Sequence, residues 1–435
     1  MRIAVVGSGI AGLASAYLLS RTHEVTLFES ADYFGGHTHT HDLAVAGARY
    51  AVDTGFIVFN SRHYPLLSRL LAELGVASQP TTMSFAVHSE RSGLEYNATS
   101  VRGLFCQRRN LWSPRFYGML RDLVRFYRSA PELLAPHAPE VSLGEYLRAS
   151  GYGAAFCEEH LLPMASALWS APAATVLDFP ARFLVRFMAN HNMLQLTGRP
   201  GWRVVRGGSA SYVRALRERW QLRERLGCRV HGLSREPQGV TLESDAGRER
   251  FDQAVLACHS DQALALLRDP SPDEAAVLGA IPYQRNEVVL HTDRAFLPRN
   301  PKAWAAWNAL VPAQPTRHCT VSYCMNLLQG LKSPEPFIVT LNPQTPIEPG
   351  RVLRRLDYAH PLFTPGAVAA QSRRTAIQGR RRTWFAGAYW GFGFHEDGLR
   401  SAVEVCRALG VREGLARHRL PDRPAGRAPA AGVRA

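Results

Sequence analysis

The chain has 435 residues, 46% of them apolar and 9% aromatic, which excludes a disordered protein and leaves room for more than one domain. Lys and Arg total 51 against 36 Asp and Glu, a formal charge of +15 that suits an anionic cofactor or anionic lipid headgroups; no nucleic-acid module accompanies it, and no nucleic-acid partner is expected. Seven scattered cysteines without a C-x-x-C exclude a disulfide framework and a zinc knuckle and fit a reducing, cytoplasmic setting, and no apolar run reaches membrane-spanning length.

The opening stretch "MRIAVVGSGIAGLASAYLLS" could pass for a signal peptide, but its glycines and its order of strand, turn and helix give a better account. An apolar strand is predicted over 3–6 and an apolar helix over 13–20. Between them Gly7, Gly9 and Gly12 spell G-x-G-x-x-G in the setting that motif requires. Gly7 permits the tight turn, Gly9 lets the backbone approach a pyrophosphate, and Gly12 lets helix and strand pack closely. The helix start, with Ile10 and Ala11, offers amide donors and a partial positive charge. A second strand, "EVTLFE", ends at Glu29 with Ser30 after it, where a carboxylate accepts hydrogen bonds from a ribose and disfavours a 2′-phosphate.

Next, "YFGGHTHTHD" puts His37, His39 and His41 on alternate positions after Gly35 and Gly36. Alternation by two is the period of a strand, which sets the imidazoles on one face rather than around one ion. An H-x-H pair can hold zinc or iron when a third ligand arrives from elsewhere, but the nucleotide motif upstream decides the context and no metal is expected. "SADYFGGHT" resembles the extended dinucleotide motif of the flavin-containing amine oxidase and phytoene desaturase superfamily. The resemblance implies FAD, with Gly35 and Gly36 crossing its pyrophosphate and His37 and Thr38 beside it. The family usually has Arg where this chain has His37, so a fixed cation is replaced by a titratable donor.

Further stretches resemble the family in order. "YAVDTGFIVFNSRHYPLLSRLLAELGV" is similar to its segment beside the isoalloxazine ring, with Asp53, Thr54, Gly55 and Phe56 at a turn and a helix after Tyr64. Residues 103–196 read mostly as helices. Among them "RRNLWSPRFYGMLRDLVRFYRSAPELL" interleaves Arg with aromatic and aliphatic residues, as does "ARFLVRFMANHNMLQL". Such helices suit either a membrane interface or a core with a solvated arginine face.

"WRVVRGGSASYVRALRE" is similar to the family's glycine-rich return to the nucleotide domain, at Gly207 and Gly208. In "CRVHGLSREPQGVTLESDAGRERFDQAVLAC" Val230 stands where the family's backbone meets adenine, ahead of a buried strand over 254–258. "NEVVLHT", "CTVSYCMNLL" and "FIVTLN" alternate as strands. Where the family's amine oxidases carry a lysine that holds water near the flavin, this chain has Asn286 or Glu287, and Lys302 falls beyond a proline turn. "TWFAGAYWGFGFHEDGLRSAVEVCRAL" resembles the strand, loop and helix facing the flavin. That places Gly387, His395, Glu396, Asp397 and Gly398 at the cofactor, with Ala388 in place of the usual acid. Acids at that helix start are also ordinary caps. The family's Cys-x-Tyr flavin attachment is missing, so FAD is expected to be noncovalent.

The resemblance covers the chain to about residue 412 and implies an α/β fold. A Rossmann-like FAD-binding domain would come from 1–76, 201–279 and 376–412, with an inserted mixed α+β substrate domain from 77–200, largely helical, and 280–375, largely sheet. Residues 413–435, rich in Pro, Ala, Gly and Arg, read as a disordered basic tail. The chain looks closest to a bacterial subgroup of NAD/FAD-binding oxidoreductases placed alongside cyclopropane fatty acid synthases. The expected activity is therefore FAD-dependent hydride transfer on a hydrophobic, fatty-acyl or lipid, substrate delivered from an anionic inner-membrane surface. Amine oxidation, a redox-neutral isomerisation and a non-catalytic flavin-binding role are the alternatives, and NAD(P)H is left open as electron donor or acceptor. His395 is the first acid–base candidate, because it lies beside the expected flavin and an imidazole ordinarily titrates near neutrality.

Overall fold

The computed structural model describes residues 1–314, 320–411 and 415, so the tail expected over 413–435 lies outside the described residues except for residue 415. Apolar runs such as RIAVV and EVTLF have no polar side to turn to water, and they lie in a parallel sheet covered on both faces. Its order is Arg223–Arg225, Glu24–Phe28, Arg2–Val6, Gln253–Leu256, Thr383–Phe385, with every neighbouring pair parallel. On one face lies the helix Ile10–Leu19, buried along its whole length and sharing a core with Leu399, Ala402 and Val403 of the helix His395–Ala408. On the other, the antiparallel strands Val230–Glu236, Gly239–Ser244 and Gly247–Phe251 pack Leu233, Val240 and Leu242 against Ala4, Val6 and Phe28. The first helix begins at Ile10, not at residue 13, because Gly9 is extended (φ −61°, ψ 175°) and caps it.

A second, seven-stranded sheet runs Val352–Pro361, Tyr283–His291, Ile338–Leu341, Thr320–Cys324, Trp307–Val311, Phe85–Ser89, Glu95–Asn97. Two stretches far apart in sequence thus share one sheet, joined by the parallel pair Phe85–Ser89 and Trp307–Val311. The helices Pro114–Ser129, Leu143–Ala149, Leu162–Trp169 and Ala181–Asn190 enclose an aromatic core around the fully buried Phe116, Phe126, Phe156, Phe179 and Phe187.

One sequence expectation needs correction here. Residues 108–128 are not one helix: Arg108–Trp112 is a separate 3-10 turn, and the break falls at Ser113, whose hydroxyl accepts from the Phe116 N–H at 3.2 Å with Pro114 opening the next helix. The helix Ala181–Asn190 buries Phe183, Leu184, Phe187 and Met188 in the core and ties Arg182 to the carbonyls of Ala135 and Ala138, while Arg186 stays exposed, which is the pattern of a core helix with a solvated arginine face.

Candidate functional site

The strand-turn-helix at the N-terminus opens onto a cavity of about 1260 Å³ that continues between the two sheets, above the range typical of one small ligand. At its nucleotide end the Gly7 N–H donates to the Phe28 carbonyl at 2.9 Å, closing the turn. The Glu29 carboxylate accepts from the Ser8 N–H (2.8 Å) and hydroxyl (2.6 Å) through one oxygen and from the Ala31 N–H (2.8 Å) through the other. Gly9, Ile10, Ala11, Ser30 and Val230 line this end with Glu29.

Gly35 and Gly36 take φ of +136° and +56°, so the chain loops before the strand Thr40–Val45 begins. His37 therefore lies on the loop and turns into the cavity, while the His39 and His41 rings lie 4.1 Å apart, tilted by 46°. His39 meets the Tyr358 hydroxyl and His41 the Thr54 hydroxyl. The expected single face of three imidazoles does not form, because the strand begins only at Thr40 and His37 lies on the loop before it; among the described residues no group of three His, Cys, Asp or Glu side chains could hold a metal ion. The Phe56 N–H donates to the His37 carbonyl at 2.7 Å, and any Cβ on Gly55 would come within 2.1 Å of that same oxygen. That close crossing presents Gly55 and Phe56 to the cavity beside His37.

Opposite His37 stand Tyr358 and His360, with ring centroids 4.9 and 5.1 Å away. A chain of donors fixes the His360 tautomer. The Glu287 N–H donates to Asn342 Oδ1 (3.0 Å), so the Asn342 amide donates to Asn286 Oδ1 (2.7 Å), and the Asn286 amide must donate to His360 Nδ1 (3.1 Å). The proton of His360 therefore resides on Nε2. Burial holds its imidazole down at about 4, helped by His259. His37 is held well below the usual range, first by burial and then by the imidazoles of His360, His259 and His395. This wall is a set of neutral rings.

These features define a Rossmann-type dinucleotide-binding protein with a second, apolar chamber. The sequence model of the flavin containing amine oxidoreductase family matches residues 10–317, and the chain belongs to that family. It is 27% identical over 284 residues to a Mycobacterium tuberculosis protein assigned as the flavin-containing monoamine oxidase AofH, over 62% of this chain and 59% of that one. The chain thus spans about three fifths of the length of the curated relatives it matches. Its fold is also similar to wild-type putrescine oxidase bound to putrescine, with a TM-score of 0.67, 14% identity and 94% and 99% of the two chains covered. A fatty acid isomerase from P. acnes that produces CLA gives a TM-score of 0.63 at 17% identity, over 93% and 98%.

FAD is the cofactor of this family, and the residues here fit it. A Cβ on Gly9 would meet nothing within 4 Å and would project into open cavity, the space a pyrophosphate needs. Gly36 approaches so closely that a Cβ there would lie 3.0 Å from the Gly9 Cα, which keeps the two glycine turns in one cradle. His37 Nε2 is buried without a hydrogen-bond partner.

Other expected cofactor contacts lie behind the cavity wall. Gly12 and Gly35 are packing glycines, where a Cβ would fall 1.8 Å from the Gly7 oxygen and 2.3 Å from the Thr38 oxygen. The Glu396 carboxylate accepts from the Leu66 (2.8 Å) and Leu67 (3.1 Å) amides and so caps the helix Pro65–Glu73, with burial pushing it up to about 7. Asp397 accepts from the Phe392 and Phe394 amides and pairs with Arg400, and Gly398 lies against Ile10. Both acids cap helix starts.

His395 does line the cavity, as does Gly387, but its expected titration near neutrality does not hold. Its ring stacks on Phe56 at 3.7 Å, its Nε2 meets the Thr38 (3.0 Å) and Tyr212 (3.2 Å) hydroxyls, and burial holds it down at about 3. Thr38 in turn bonds Tyr212 and stays out of the cavity. Sequence reasoning missed Tyr358 and His360, although their alternation in "DYAHP" along the strand Val352–Pro361, paired with Asn286 and Gln284, is a signal that could have found them.

Proposed function

We propose that this flavin-containing oxidoreductase acts on an apolar, fatty-acyl or other lipid substrate that carries no positive charge. The observation that supports this reading is the charge of the cavity: among its described lining residues the one carboxylate is Glu29, at the nucleotide end, and neither lysine of the chain lines it. An ammonium group moved into that chamber would lose its water without gaining a counter-charge, a cost of several kcal/mol. The position resembling the family's lysine holds Asn286, which is 1% exposed and spends its amide on His360, while Glu287 is exposed and pairs with Arg355.

When bound, FAD supplies a ring that accepts a hydride equivalent. Around it the chain contributes orientation and dryness. His360 holds a proton at Nε2, Tyr358 is fixed by Thr54 and His39, and the apolar lobe lined by Leu104, Leu123, Met164 and Phe187 excludes water. In an anaerobic titration a fatty acid or acyl lipid should bleach the flavin at least tenfold faster than a primary amine of equal chain length. Faster bleaching by the amine would replace this reading with amine oxidation.

The same reading places the protein on an anionic membrane surface. No helix of the described residues is long and apolar enough to cross a membrane. Trp112 is 86% exposed and Leu196 66%, and Leu196 lines the cavity together with Leu120, Val124 and Tyr127. Arg121, its side chain 81% exposed, and the exposed Arg128 flank them. Arg125 is not part of such a surface: it donates to the Ser150 and Gly151 carbonyls, pairs with Asp122 and lies over Tyr152. Each lipid-facing arginine contributes about 1 kcal/mol at low salt. Reversing Arg121 and Arg128 should therefore weaken vesicle binding about thirtyfold or more with the flavin colour unchanged, and undiminished binding would remove the membrane from the account.

A further inference from the structure

At the end of the cavity away from the nucleotide turn, a second donor chain fixes another imidazole. The Tyr96 hydroxyl donates to the Glu159 carbonyl at 2.8 Å, so its oxygen must accept from His160 Nδ1, also at 2.8 Å. His160 then carries its proton on Nδ1, and Nε2 is left as a bare acceptor. That nitrogen is buried and has no partner, and the ring, 4% exposed, lines the cavity. An orphaned acceptor in an apolar chamber costs stability unless something that enters the chamber satisfies it.

Arg199 lines the same lobe. Its guanidinium donates to the Gln195 carbonyl (3.1 Å) and the Tyr127 hydroxyl (3.4 Å), and no carboxylate among the described residues pairs with it. Its charge reaches the buried ring, adding to burial in holding His160 down at about 4. The other arginine of the cavity wall, Arg229, belongs to the nucleotide end beside Val230. An exposed arginine with no carboxylate partner among the described residues and a buried bare acceptor thus line the same lobe of the cavity.

We infer that Arg199 and His160 Nε2 form the head-group site for the carboxyl group of a long-chain monocarboxylic acid, whose hydrocarbon chain extends from there toward Tyr358 and His360. One carboxyl oxygen accepts from the guanidinium, and the other shares a single proton with His160 Nε2. No covalent bond is made or broken at this site. The inference deepens the acyl-substrate reading and rests on it, because it names the head group that reading leaves undefined.

The test is equilibrium binding to the FAD-loaded protein, followed by the shift in flavin absorbance under anaerobic conditions, with oleic acid, methyl oleate and oleylamine as probes. Oleic acid should bind the native protein at least tenfold tighter than either of the others. Arg199→Gln should weaken oleic acid about tenfold and leave methyl oleate unchanged. His160→Phe, which keeps the ring but removes the acceptor, should do the same. Equal affinities for the acid and its ester, or an Arg199→Gln variant that binds oleic acid as the native protein does, would overturn the site. Carboxyl-dependent binding without any flavin bleaching would leave the site standing and sink the acyl-oxidation reading instead.

Discussion

Gly9→Val should give a folded, colourless protein, while Gly12→Val should give little folded protein at all. The two glycines lie three residues apart in one motif, yet their surroundings are opposite. Around Gly9 nothing lies within 4 Å of an added Cβ, and the residue lines the cavity, so the new side chain enters space that the FAD pyrophosphate occupies and leaves the fold intact. A lost pyrophosphate contact and a blocked approach should weaken FAD at least a thousandfold, about 4 kcal/mol. At Gly12 the added carbon would fall 1.8 Å from the Gly7 carbonyl oxygen, and the turn cannot yield because Gly7 is itself held between Phe28 and Ala257. Overpacking of that kind costs about 3 kcal/mol or more. Far-UV circular dichroism and bound-flavin absorbance of both variants separate the outcomes, and a yellow Gly9→Val protein would refute the assignment of the cradle.

Acidification should destabilise the protein mainly between pH 6.5 and about 4. His160 and His395 are held neutral by burial, at about 4 and about 3 against an ordinary 6.5. In that interval the unfolded chain binds protons that the folded chain refuses, so their contribution is complete above pH 6.5 and is lost as pH falls toward the folded values. Each is worth roughly 3 to 5 kcal/mol. Two buried acids act in the opposite sense. Asp53, pushed up to about 6, and Glu396, pushed up to about 7, favour the folded state most below their unfolded values and lose that contribution as pH rises through 6 and 7. The histidines outweigh them, because His191, His291 and His360 are also held at about 4. Tm measured from pH 8 to 4 should be nearly level above 6.5 and fall steeply below it. A Tm that rises on acidification would mean that the two acids dominate.

The nucleotide half of the fold was legible because its signals are local. A strand, a G-x-G-x-x-G turn and a helix follow one another within the span of Arg2–Leu19, and each residue's role depends on its immediate neighbours. What could not be read depends on partners remote in sequence. The neutrality of His395 comes from its burial, where Thr38, Phe56 and Tyr212 meet it from other segments. Glu396 looked like a cofactor ligand because the helix end it caps, at Leu66, belongs to another part of the chain. Arg125 and Arg121 are indistinguishable in a helical pattern, and only the position of Ser150, Gly151 and Tyr152 makes one of them structural. His160 carries no motif at all. Its significance comes from a proton that Tyr96 gives to Glu159.

The order of strands in the parallel sheet also governs when the protein can become itself during synthesis. Arg2–Val6 is made before the other strands of its sheet, but its neighbour Gln253–Leu256 follows some 250 residues later, and the edge strand Thr383–Phe385 later still. At about 5–20 residues per second, the first strand waits tens of seconds for its partner. Pairings of such separation are slow to close, and until they do the apolar faces of both early strands and of the helix Ile10–Leu19 lie open. The nascent chain is therefore a natural client for chaperones over most of its translation. The full wall of the FAD cavity exists only after the stretch from Gly387 to His395 has been made.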